Sequence, residues 1–160
     1  MATAVSLVTY DPAFARDFAR LNYQWIEEYF AVEEEDRVAL EDPHAYAIAT
    51  GGEIFFVLED DVPVGTVAIV PCKDASQRGV FELAKMAVKP DKRGRGYSHM
   101  LMQACIDFAK SRDALEIMLV TNDVLAPALG LYESSGFVAA PQYSDSRYVR
   151  GNLEMRLRLR

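Results

Sequence analysis

The spacing of apolar residues changes in mid-chain. Val80-Phe-Glu-Leu-Ala-Lys-Met-Ala-Val88 is an apolar run of strand length, whereas beyond it apolar residues fall at 97, 100, 101, 104, 105, 108 and 109. The second pattern is the i, i+3, i+4 spacing of a helix with one apolar face. This part of the chain therefore predicts strand, short loop, helix. Upstream, residues 4–10 alternate as a strand. Asp11-Pro12 reads as a helix start, because Asp caps well and Pro suits the first turn. Phe14, Phe18, Leu21, Trp25 and Ile26 then recur at helical spacing, with Tyr29-Phe30 continuing the apolar side. The acidic run Glu33–Asp36 breaks that pattern, and a short second helix is predicted over 34–41. Gly51-Gly52 marks a turn, followed by strands over 53–59 and 64–70 with a tight connection at Asp60–Pro63. Residues 73–79 form a polar loop. Downstream of the mid-chain helix the pattern predicts a strand over 115–121, a helix over 125–135 and a strand from Phe137 to about Gln142. A last alternating strand, 153–159, is placed near a sheet edge. Short connections between 53 and 88 imply an antiparallel meander. The order is that of an α/β fold in three layers, a mixed, mostly antiparallel sheet flanked by helices.

Length and composition narrow the picture. A chain of 160 residues is read as one domain, 1–160, long enough for a substantial core. Its net charge of −7 argues against a general nucleic-acid binder and favours a cationic partner such as an amine. No long apolar span and no signal-peptide pattern is visible, so no membrane partner is expected and the setting is read as cytoplasmic. Cys72 and Cys105 show no C-x-x-C spacing and no companion histidines, so no metal site is expected.

Against this acidic background one loop is basic. Lys89, Lys92, Arg93 and Arg95 crowd around Gly94 and Gly96 just before the mid-chain helix. Glycines let the backbone turn sharply and approach a ligand, and the first N–H groups of a helix have no intrahelical acceptor. The arrangement suits an anion, phosphate above all. A basic surface turn with glycines for geometry is the plainer alternative. His99 stands where a dinucleotide fingerprint needs its third glycine, and no G-x-x-x-x-G-K-[ST] occurs.

Taken whole, Leu83-Ala-Lys-Met-Ala-Val-Lys-Pro-Asp-Lys-Arg-Gly-Arg-Gly-Tyr-Ser98 resembles the acyl-CoA signature of the GNAT N-acetyltransferase superfamily. That pattern is an apolar strand ending Val-x-Pro, then [Gln/Arg]-x-x-Gly-x-[Gly/Ala] opening a helix. Val88 and Pro90 match the strand end, Arg93 the first loop position and Gly96 the fourth. Ser98 departs from the sixth. A second segment, residues 126–137, resembles the family's Asn-x-x-Ala-x-x-Leu-Tyr-x-x-x-Gly-Phe: Ala128, Leu131, Tyr132, Gly136 and Phe137 match, and Leu125 stands where Asn is usual.

The resemblance implies acetyl-CoA as co-substrate, bound in a cleft where strands 80–88 and 115–121 splay apart. It implies that the backbone of Met86, Ala87 and Val88 pairs with the pantetheine arm, one N–H serving as oxyanion donor. It places the pyrophosphate on the backbone of Arg93, Gly94, Arg95, Gly96, Tyr97 and Ser98, with Asn122 near the pantetheine. Tyr132 becomes the candidate general acid, since a phenol is protonated at neutral pH and can give its proton to a thiolate; the alternative is a residue of the apolar stripe. Glu82 becomes the candidate general base, an acid in an apolar strand that alternation puts on the same side as Ala84, Met86 and Val88. The alternative for Glu82 is an ion pair with Lys85 or Arg78. The implied function is acetyl transfer to a primary amine of a small molecule or protein; the competing class is a non-catalytic acyl-CoA-binding sensor or interaction module. The acceptor wall is expected from residues 25–50 and 142–152, with Arg147, Tyr148 and Arg150 as candidates for an acceptor carboxylate. Trp25, Tyr29 and Phe30 are read as mostly core, the acidic run as a solvated face, and His44 and His99 as surface or structural. A homodimer through the C-terminal strands is compatible with the resemblance.

Overall fold

A computed structural model describes residues 2–122, 125–140 and 153–160. Strand β1 (Val5–Thr9) leads to a 3-10 turn at Pro12–Phe14, whose first N–H groups are served by Asp11 Oδ1 accepting from Ala13 N at 2.8 Å. Helix α1 (Ala15–Tyr29) and helix α2 (Glu34–Glu41) follow. A π-helical turn, His44–Ile48, closed by Ala49 N donating to His44 O, fills a stretch with no legible period. Strands β2 (Glu53–Glu59), β3 (Val62–Pro71) and β4 (Val80–Val88) form the meander. Asp60 and Asp61 both take positive φ, 49° and 67°, giving a two-residue hairpin turn whose twist matches that of the strands. For that reason β3 begins at Val62, two residues earlier than its apolar run. Helix α3 (Tyr97–Ser111), β5 (Glu116–Thr121), helix α4 (Ala126–Ser134), β6 (Val138–Ala139) and β7 (Leu153–Arg158) complete the chain.

Among the described residues seven strands lie in the order β1-β2-β3-β4-β5-β7-β6, and β4 and β5 are the one parallel pair. The C-terminal strand is not itself the edge, because β6 pairs outside it. Each sheet face carries its own core. Phe18, Ile26, Leu40, Phe56 and Ala68 pack on the α1 face; Val67, Ile69, Leu83, Leu101, Cys105 and Ile117 pack on the α3 face. Burying one such side chain fully contributes about 1.5–3 kcal/mol, so each face is stabilised by many comparable increments.

One expectation fails inside β4. The register runs Thr66 to Ala87 and Ala68 to Ala84, so Lys85 and Met86 together face Val67. This is a β-bulge, with Lys85 at φ 58°. The extra residue reverses the phase. Met86 and Val88 join Phe81 and Leu83 against the α3-side core, and Glu82 does not share their side.

Candidate active site

The parallel pairing of β4 and β5 is short: Val80, Glu82 and the residue between them oppose Glu116–Met118, and the register then ends. β5 continues to Thr121 on its other edge, paired with β7. Beyond Glu82 the two strands therefore diverge and open a cleft of about 580 Å³. Met86, Ala87 and Val88 line it from β4, and Asn122 from the end of β5.

The glycine loop closes one end. Gly94 and Gly96 sit at φ 80° and 81°, the left-handed region that penalises a side chain. A Cβ built on either would meet nothing within 4 Å, so the space before the helix is open. Gly96 is the N-cap of α3 and offers no side chain to its first N–H groups. Those donors, with Ser98, face the cleft and suit an anion.

The loop's cations are more constrained than the sequence implies. Lys92 Nζ and Arg95 Nη1 reach Glu59, at the end of β2, at 2.8 and 2.9 Å, and Tyr97 donates its hydroxyl to the same carboxylate at 2.5 Å. Hydrogen bonds from Lys92 and Tyr97 hold the Glu59 carboxyl down at about 2. The bond to Glu59 in turn raises the Tyr97 phenol. Glu59 thus ties the loop on both sides of Gly94 to one point of the sheet. The Arg95 side chain accordingly turns to Glu59 rather than lining the cleft, while its neighbours Arg93, Gly94, Gly96, Tyr97 and Ser98 do line it. Arg93 also spans to Glu28 of α1 at 3.2 Å. Nothing in the residue pattern picks out Glu59 as the loop's anchor.

Glu82 lies at the apex, where pairing stops, and is 8 % exposed. Tyr132 of α4 is half-buried on the cleft wall with its ring 6.1 Å from Phe137. Burial pushes its phenol up to about 12, so it holds its proton across the physiological range. Lys85, at the bulge, makes a buried ion pair of 2.8 Å with Asp36, which also accepts from the Glu33 N–H at the start of α2. The acidic run is thus partly structural rather than wholly solvated. Of the histidines, His99 lines the cleft and His44 packs beside Tyr10.

The opposite wall comes from α1. Asn22, Trp25, Ile26, Tyr29 and Phe30 all line the cleft. Trp25 and Phe30 are half-buried and pack against the α1-face core, as their helical spacing implies, whereas Tyr29 is 49 % exposed and is not a core residue. Arg147, Tyr148 and Arg150 lie outside the described residues.

The chain matches the Acetyltransferase (GNAT) family over residues 18–137. It is 33% identical over 88 residues to N-acetyltransferase 8B of Homo sapiens, covering 54% of this chain and 39% of that protein. With N-acetyltransferase 8B of Rattus norvegicus it shares 32% over 101 residues, 62% of this chain and 46% of the other. The chain thus spans less than half the length of these relatives. A GNAT acetyltransferase from Staphylococcus aureus Mu50 superposes with a TM-score of 0.86 at 18% identity, covering 98% of this chain and all of the other. A putative acetyltransferase from Salmonella typhimurium, solved with acetyl-CoA, superposes at 0.77 and 19% identity over 98% and 95% of the two chains. Three quarters of the sequence match the family, and the whole fold superposes on these solved structures: the chain belongs to the GNAT acetyltransferase family.

Proposed function

We propose that this chain moves an acetyl group from acetyl-CoA to a primary amine by direct transfer in a ternary complex. The observation that carries the reading is the adjacency of three features in one cleft: a strand edge left unpaired beyond Glu82, an uncapped helix N-terminus behind Gly94 and Gly96, and a protonated phenol at Tyr132. These residues fit an acyl-CoA. The open space at Gly96 accommodates a pyrophosphate against the N–H groups from Arg93 to Ser98, and the Met86–Val88 edge offers backbone to the pantetheine amides, with Asn122 across from it. Bound acetyl-CoA supplies an activated thioester. Glu82 takes the ammonium proton of the acceptor. Tyr132 gives its hydroxyl proton to the sulfur as the C–N bond forms and the C–S bond breaks, and is reprotonated by the second proton leaving the nitrogen. An ammonium and a thioester go in; an amide, a thiol and one proton come out. The reading places the chain in a reducing, cytoplasmic setting, where Cys72 and Cys105 stay as thiols. Calorimetry with CoA, followed by an assay of amine-stimulated CoA release, tests it. Binding with amine-dependent release is expected; binding without release under any amine would leave only an acyl-CoA-binding module.

A further inference from the structure

The α1 wall lines the cleft with side chains whose chemistry bears on the acceptor. α1 packs against the core around Phe18 and Phe56, whereas α3 and Tyr132 of α4 pack with the core on the opposite sheet face. A cofactor held from the α3 side leaves the α1 side of the cleft for the second substrate. Three features of that side limit what fits. First, Trp25 lies 6.2 Å from Tyr29 and 6.1 Å from Phe30, ring centre to ring centre, with the planes tilted by 55° and 48°, so the three rings form an angled, mainly apolar wall. Second, Asn22 is 1 % exposed and spends its amide N–H on Phe18 O at 2.9 Å. Its Oδ1 has no partner among the described residues, so a buried acceptor on the cleft wall awaits an N–H donor. Third, Glu82 is the one carboxylate among the described residues lining the cleft, and the lining cations Lys85, Lys92 and Arg93 are each matched by a carboxylate outside that lining, Asp36, Glu59 and Glu28. One carboxylate matches one ammonium. The further ammonium groups of a polyamine would find no second carboxylate among the described residues lining the cleft.

We propose that the acceptor is a monoamine on an aromatic body, its nitrogen served by Glu82 and Asn22 Oδ1 and its ring lying on Trp25, Tyr29 and Phe30. The assignment rests on the acetyl-transfer reading above. Trp25 is the only tryptophan of the chain, so its fluorescence reports on this wall whether or not turnover occurs. The test titrates 2-phenylethylamine and spermidine into the full chain saturated with CoA, after calorimetry has established CoA binding. A saturable fluorescence change with 2-phenylethylamine alone is expected, together with at least tenfold higher kcat/KM than for spermidine or a peptide with a free serine N-terminus. Asn22→Leu and, at an exposed position, Tyr29→Ala should each weaken the amine at least tenfold and leave CoA affinity unchanged. CoA binding with no fluorescence response, or with spermidine or the peptide preferred, overturns the acceptor assignment alone. Absence of CoA binding overturns the acetyl-transfer reading first and this assignment with it.

Discussion

The two walls of the cleft are built by different means. The wall around the α3 N-terminus works through backbone: two glycines at positive φ, an uncapped helix start, and cations anchored on Glu59. The wall of α1 works through side chains, with Trp25, Tyr29 and Phe30 around the buried amide of Asn22. A site made of backbone restricts residue identity through conformation, because only glycine takes φ near 80° without strain. A site made of side chains on a regular helix places no such demand. Its aromatics recur at the same spacing as any core stripe.

Perturbing one wall at a time sharpens that contrast. The largest effect is expected at Tyr132. Tyr132→Phe should lower kcat about a hundredfold, the lower range for a lost general acid, with CoA affinity unchanged in calorimetry. Unchanged turnover would return Tyr132 to the apolar stripe. Next comes the link between bulge and α2. Lys85→Met leaves Asp36 buried without its cation and should cost about 3 kcal/mol in urea unfolding, whereas replacing both partners with apolar residues should recover most of the loss. On the backbone wall, Gly96→Ala should destabilise by about 1 kcal/mol through its left-handed φ and weaken CoA, leaving the amine KM unchanged. A change in the amine KM alone would blur the division between the walls. A smaller effect is set by acid. The Glu59 carboxyl, held at about 2 against an ordinary 4.5, favours the folded state above pH 4.5 and loses that contribution as pH falls towards 2. Glu59→Gln should therefore show a shallower fall in Tm between pH 5 and pH 3 than the parent. The smallest effect is expected at Glu34 and Glu35, exposed on α2, where Ser substitutions should stay within about 0.5 kcal/mol and leave both ligands alone.

Much of the fold was legible because its elements obey single periods. The second helix appears at Glu34–Glu41, where the break at the acidic run predicts it, and the meander follows from its turns. The phase of β4 was not legible. A bulge at Lys85 uses a lysine where glycine or asparagine would have signalled a left-handed residue, and the buried ion pair to Asp36 compensates a strain that alternation cannot reveal. The candidate site divides in the same way. The glycine loop and Tyr132 carried motifs. Glu59 did not, because a carboxylate that collects Lys92, Arg95 and Tyr97 from across β3 is brought there by topology alone. Trp25 and Phe30 of α1 kept the core contact their spacing implies and line the cleft as well, whereas the exposure of Tyr29 was not legible from that spacing.

That parting has a mechanical side. Between β3 and β4 the strands are laced along most of their length, but among the described residues the strip formed by β1 to β4 is hydrogen-bonded to the strip formed by β5, β7 and β6 along one short stretch, from Gly79 and Leu115 to Glu82 and Met118. The sheet is two plates on a short hinge, with Glu82 at the last rung. A load drawn across the strands would tear there first, and a ligand lying along the open seam would act as a rivet, joining the plates where the protein's own hydrogen bonds stop.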